Sequence, residues 1–330
     1  MRYSRFDVSR RQRLPRRDQR KAAPLTVCVA AICQGNIIVG ASDRLLTTGD
    51  IQFAPPQTKI VRLTQSIAAM FAGDTALCHD LAMRVREDVL HDEQPGSLTV
   101  RECAERFRDH YQRMFLERAS NHVLAPLGLD HESFLSRQRD LDPALVSQLT
   151  AELWRFEPTP EGVQAIFTGL DNSGAHLYMV NGSTVDLYDA VGFVAIGTGA
   201  RHAQSQLMFV EHTSTVSFHR TLLQVYWAKK RAEVAPGVGD KTDMFVIGPE
   251  LNSYLPMPEN SLLRIAQVYE TARKLERQAQ EEAEATMLAS VERVTSDHAE
   301  NAPNAETGRR SGRRSKKKAV QQQSASTGEG

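Results

Sequence analysis

No apolar run in these 330 residues approaches the roughly 18 that a membrane-spanning helix requires, which excludes a helical integral membrane protein. The ten histidines form no His-x-x-x-His or His-Glu-x-x-His spacing, so no metal site is expected. Four cysteines, Cys28, Cys33, Cys78 and Cys103, make no Cys-x-x-Cys pair and sit in apolar or helical surroundings. They read as reduced, buried thiols, which suits a cytoplasmic protein. The 20 glycines and 14 prolines follow no collagen-like period, and no solenoid repeat is found. Gly237-Val238-Gly239 is too short and wrongly placed for a dinucleotide loop, which should follow a first strand and open a helix; no cofactor is expected. Before residue 26 there is no apolar segment of the kind a secretory signal carries.

Net charge is absent too, with 40 Lys/Arg against 40 Asp/Glu, but the balance is uneven along the chain. Residues 1–25 hold nine Lys/Arg and two Asp, and residues 309–330 hold seven Lys/Arg and one Glu, which leaves 24 basic and 37 acidic residues between 26 and 308. An acidic body of that kind repels phosphate. Any affinity for nucleic acid would therefore reside in the two basic ends and fall with salt.

From Thr26 the pattern is that of a folded domain. Val27–Cys33 and Ile37–Ser42 are apolar runs on either side of Gln34-Gly35-Asn36, a hairpin of buried strands. A loop ended by Pro55-Pro56 precedes short strands at Lys59–Leu63 and Ser66–Ala72. Asp74 caps a helix over about 75–92, and a second helix runs from about Thr99 to Asn121. Residues 124–160 read as an inserted, mostly helical segment. Strands return at Val163–Leu170, Ala175–Val180, Val185–Tyr188 and Gly192–Ile196. Two helices follow, at about 200–212 and 215–233, then a strand at Asp243–Gly248. Blocks of strands and helices segregated in this way predict an α+β protein with two stacked antiparallel sheets covered by helices. The expected organisation is a basic leader over 1–25, a domain over 26–250, a helical extension over 251–295 with its helix at about 259–294, and a disordered basic tail over 296–330.

Function is carried by Thr26, Asp43, Lys59 and Gly73. A threonine hydroxyl is a weak nucleophile and needs an adjacent base, which the α-amine of the same residue supplies if Thr26 is the first residue. A buried Lys59 paired with Asp43 would favour the hydroxyl's ionisation, and Gly73, without a side chain, lets its N–H approach an oxyanion. On this argument Lys59→Ala is expected to lose activity with little loss of stability. Lys59 follows Asp43 by sixteen positions and Gly73 follows Lys59 by fourteen. With Thr26-Val27-Cys28-Val29 and Gly40-Ala41-Ser42-Asp43-Arg44, these residues resemble the proteasome β-subunit family of N-terminal-nucleophile hydrolases, and within it the Anbu-type bacterial homologues, over roughly residues 26–250.

The resemblance implies a four-layer αββα sandwich, catalytic roles for Thr26, Asp43, Lys59 and Gly73, and peptide substrates. It implies a specificity pocket at Leu46, Thr47, Gln57, Val61, Phe71 and Thr75. Gly197-Thr198-Gly199 resembles the family turn whose hydroxyl supports the nucleophile's amine, and it reads equally as a plain strand-to-helix turn. From Thr26 to Asp43 the chain is one residue longer than the family pattern, an extra residue placed in the Gln34–Asn36 turn. Where the family carries an Asp and a Ser three apart, Ala235–Thr242 offers no positional match; Asp240 and Thr242 are the candidates to substitute. The resemblance further implies a homo-oligomer, ring or spiral, with an unfoldase as a possible partner. Residues 1–25 are expected to be missing from the active protein, through cleavage before Thr26 or through translation starting at codon 25. The alternative is an inactive scaffold of the same fold whose basic ends recruit nucleic acid or another acidic partner.

Overall fold

The computed structural model describes residues 26–48, 51–55, 59–91, 98–155 and 162–300. The basic leader over 1–25, Gln57 and the tail beyond residue 300 lie outside the described residues. The chain forms an α+β protein with two antiparallel five-stranded sheets and a C-terminal helix.

β1 (Cys28–Cys33) and β2 (Ile37–Asp43) pair without interruption from Cys33 opposite Ile37 to Cys28 opposite Ser42, so Gln34–Asn36 holds all the unpaired residues between them. Asp43 then donates its N–H to the Val27 carbonyl at 3.1 Å, which continues the ladder by one pair. The Arg44–Pro55 stretch, expected as a loop, contains a small hairpin of β3 (Leu46–Thr48) and β4 (Ile51–Phe53). After β5 (Ile60–Arg62) and β6 (Ile67–Gly73), Asp74 accepts the N–H groups of Ala76 and Leu77 and caps α1 (Thr75–Leu90). A reciprocal box between Thr99 and Glu102 opens α2 (Val100–Ala119). Asp142 and Pro143 start α4 (Pro143–Trp154), which with α3 (His131–Arg137) encloses Leu124, Leu129, Phe134 and Leu149 in a small core belonging to the inserted segment.

The second half adds β7 (Val163–Asp171), β8 (Gly174–Asn181), β9 (Thr184–Leu187) and β10 (Phe193–Ile196). Then come α5 (Ala200–Phe209), α6 (Phe218–Ala232), β11 (Thr242–Ile247), β12 (Leu255–Pro256) and α7 (Glu259–Glu300). The first sheet has the order β10-β1-β2-β11-β12 and the second β5-β6-β7-β8-β9.

Alternation along the strands divides their side chains between three cores. Cys28, Ala30, Ile38 and Phe245 of the first sheet meet Ala68, Met70 and Ile166 of the second. Ala69, Phe71 and Phe167 turn the other way, onto Leu81 and Val85 of α1 and Phe107 and Tyr111 of α2. Val29, Ala41 and Met244 pack against Leu207 of α5, Val225 and Ala228 of α6, and Leu262 and Tyr269 of α7. Both faces of both sheets are therefore dry at their centres, which explains why the strands read as continuous apolar runs. Each large side chain so buried contributes about 1.5–3 kcal/mol.

The first compact unit ends at Glu270, and Thr271 begins the second. In that second unit α7 runs on to Glu300, past the 294 expected, because Ala, Glu, Gln, Leu and Met dominate the stretch and no glycine or proline interrupts it before Pro303. Among the described residues, no helix is long and apolar enough to cross a membrane.

Candidate active site

Asp43 ends β2 at the point where the first sheet meets three loops, and its carboxylate is fully buried. One oxygen, Oδ1, accepts the Thr26 hydroxyl at 2.5 Å, the Val27 N–H at 2.9 Å and the Lys59 ammonium at 2.8 Å. The other, Oδ2, accepts the N–H groups of Leu45 and Gly239, both at 3.0 Å. Five donors on one buried carboxylate compensate its lost hydration and fix its position.

Lys59 stands just before β5 and is 4% exposed. Its Nζ also donates to the Leu45 carbonyl at 2.6 Å. A cation and an anion buried together need such extra hydrogen bonds to offset desolvation. Cys28, two residues along β1 from Thr26, donates its thiol to the Phe71 carbonyl at 3.3 Å. Burial pushes that thiol up to about 12, against the opposing pull of the Lys59 charge, so it stays protonated and is no competing nucleophile at neutral pH.

Thr26 is 3% exposed and held from its backbone as well. Its N–H donates to the Thr198 hydroxyl at 3.3 Å, and its carbonyl accepts the Gly199 N–H at 3.1 Å. The Thr198 hydroxyl lies within 3.3 Å of the same carbonyl and 3.4 Å of the Pro236 carbonyl. The turn passes so close that a Cβ at Gly197, where φ is +88°, would stand 2.4 Å from the Thr26 carbonyl oxygen. Gly197 also donates its N–H to the Gln164 side chain at 3.0 Å, and Gln164 pairs with Ala72 across β6 and β7. Gly73 follows Ala72 at the end of β6, at φ +128°, with the Gly162 carbonyl oxygen 2.5 Å from where a Cβ would be.

Thr26, Asp43, Lys59 and Thr198 are thus joined by direct hydrogen bonds, and Gly73 is linked to them through Gln164 and Gly197. Among the expected pocket residues, Val61 and Phe71 share the face of the second sheet that packs on α1 and α2; Phe71 is 5% exposed and stacked on Phe107 with centroids 5.4 Å apart. Leu46 is half-buried in β3. The side chains of Thr47 and Thr75, like Gln57, are outside the described residues. Of the two substitutes named for the missing Asp and Ser, Asp240 has an exposed side chain, whereas Thr242 lies directly opposite Asp43 with a buried, unpartnered hydroxyl. Among the described residues, no group of three metal-ligating side chains converges.

The local sequence did not point to three residues that complete the arrangement: Gln164, Gly239 and the fully buried Lys229 of α6. Gln164 stands in an apolar strand, and its outward polarity there was the available signal. Gly239 acts through its backbone alone, and Lys229 sits in an ordinary basic helix end.

No protein-family model matches this chain, and no curated protein matches it significantly.

Proposed function

We propose that the chain is a threonine-type amidohydrolase acting on peptide bonds, a member of the N-terminal-nucleophile class with the four-layer αββα sandwich of proteasome β-subunits. The observation that carries this reading is the meeting of the Thr26 hydroxyl and the Lys59 ammonium on a single oxygen of buried Asp43.

The chemistry requires Thr26 to be the first residue, because an amide nitrogen cannot act as a base. With a free amine at that position, beside the Thr198 hydroxyl, the Thr26 Oγ1 attacks the substrate carbonyl and its proton passes to the amine. The oxyanion takes a hydrogen bond from the Gly73 backbone. Collapse breaks the C–N bond, the leaving amine takes the proton, and an ester on Thr26 remains. Water, deprotonated by the same amine, attacks the ester and restores the hydroxyl. The Lys59 ammonium favours the developing negative charge on Oγ1, while Asp43 holds Lys59 and Thr26 in register.

A second reading, an inactive scaffold assembling through the same fold and recruiting acidic partners through its basic ends, is favoured by one observation: Thr26 is 3% exposed in the chain that retains Leu25. Peptide hydrolysis by protein beginning at Thr26 separates the two. The hydrolase reading predicts turnover that Thr26→Ala reduces at least ~1,000-fold without changing the circular dichroism. Equal activity in the variant would exclude it.

A further inference from the structure

The Pro236–Asp240 loop places no acidic or hydroxyl side chain in hydrogen-bond contact with Thr26, yet it is tied to the site from behind. Lys229 of α6 is fully buried, and its ammonium spends all three protons: on the Glu233 carboxylate at 2.6 Å, the Gly239 carbonyl at 2.8 Å and the Asp240 carbonyl at 3.0 Å. The peptide unit after Gly239 is therefore held from one side by Lys229. From the other side the Gly239 N–H donates to Asp43 Oδ2. Pro236 reaches the Thr198 hydroxyl, so the same loop touches both ends of the Thr26 environment.

Resting on the hydrolase reading above, we infer that Lys229 is a positioning residue: it clamps the Pro236–Asp240 loop so that Gly239 N–H supplies the fifth hydrogen bond to Asp43 and keeps that carboxylate aligned on Thr26 and Lys59. A burial this complete needs a reason, because an ammonium out of water is costly where an apolar side chain would pack equally well. Three backbone and carboxylate acceptors converging on Nζ give that reason, and two of the three belong to the loop.

The clamp has a chemical consequence. Burial lowers Lys229 to about 8; Glu233 and Asp43 raise it and Lys230 lowers it further. A neutral amine keeps two protons and turns a lone pair toward an acceptor, so one of the three bonds fails as pH rises through that value. The falling limb of the activity profile is therefore expected to follow Lys229.

The test uses the chain beginning at Thr26, with kcat followed from pH 6 to 10 and amide exchange of residues 234–243 followed by mass spectrometry. Lys229→Met keeps the volume, and Glu233 retains Lys230 as partner at 2.7 Å. It should lower kcat about 10- to 100-fold at pH 7.5 with little change in KM, and abolish the falling limb. It should also speed exchange of the Gly239 amide about tenfold or more while α6 and β11 stay protected. Glu233→Gln, which leaves Lys229 in place without its anion, should move the falling limb to lower pH. An unchanged kcat, a lowered kcat with unchanged loop exchange, or a falling limb indifferent to both substitutions would overturn the inference. If wild type and Thr26→Ala are equally inert, the hydrolase reading alone fails, and the exchange measurement still decides whether Lys229 holds Gly239 on Asp43.

Discussion

At Asp43 two oxygens collect a hydroxyl, three backbone N–H groups and an ammonium, and the energetics of the site follow from that crowding. Lys59 was read from sequence as a residue removable at little cost to the fold. Its 4% exposure, against a fully buried partner, changes the expectation. Taking one member from a buried ion pair strands the other, at about 3–5 kcal/mol, and the four donors left to Asp43 place Lys59→Ala near the lower end. Urea unfolding should show the midpoint falling by an amount equivalent to about 3 kcal/mol, with activity lost as well. Lys59→Arg should restore neither, since a planar guanidinium does not fit the site of a compact ammonium held by Asp43 Oδ1 and the Leu45 carbonyl. An unchanged midpoint in the alanine variant would show that the pair is not buried as described. That Thr26, Asp43, Lys59 and Thr198 meet was legible because each contributes a polar side chain beside an apolar strand. Contributions made by a backbone N–H, as at Gly239 and Gly199, left no mark on the residue pattern.

The β1–β2 hairpin sets the position of Thr26 against Asp43 at the scale of elements. Its register is unbroken, so the distance along the chain from Val27, next to Thr26, to Asp43 is fixed by two equal arms and one turn. A residue added within Gln34–Asn36 lengthens only the turn and should cost less than about 1 kcal/mol, with activity retained. The same residue added between Ile38 and Val39 shifts every later side chain of β2 to the opposite face, takes Asp43 away from Thr26 and should abolish both activity and stable folding. Activity and thermal unfolding of the two insertion variants test this, and equal tolerance of both would contradict the hairpin's role. Capped and apolar elements such as α1, α2 and β7 were read closely from sequence. The β3–β4 hairpin was not, because three-residue strands carry too little alternation to register. The end of α5 at Phe209 was also missed: the chain turns there through Glu211 at φ +51°, without the glycine that normally marks such a stop.

For the whole molecule, the α+β class with two antiparallel sheets was legible from the segregation of strand and helix blocks, while the partition of side chains among three cores needed the sheet pairing. Assembly is the property furthest from the sequence pattern. Met208 and Phe209 at the end of α5 are 67% and 84% exposed, adjacent apolar groups on an outer helix. A homo-oligomer, ring or spiral, is expected in sedimentation velocity at micromolar concentration, and Phe209→Glu should shift it toward monomer. A wild-type monomer would contradict the assembly.

The central claim is that Thr26 is a nucleophile whose own amine is its base. It is tested most directly by the intact and peptide-level mass of two chains, one beginning at Thr26 and one retaining residues 1–25, after treatment with a peptide electrophile that must bond to both a hydroxyl and a free α-amine. The account predicts one adduct per chain, mapped to Thr26, on the first protein and none on the second. An adduct elsewhere, no adduct on either, or peptide hydrolysis by the chain that keeps its leader throughout the assay would contradict it.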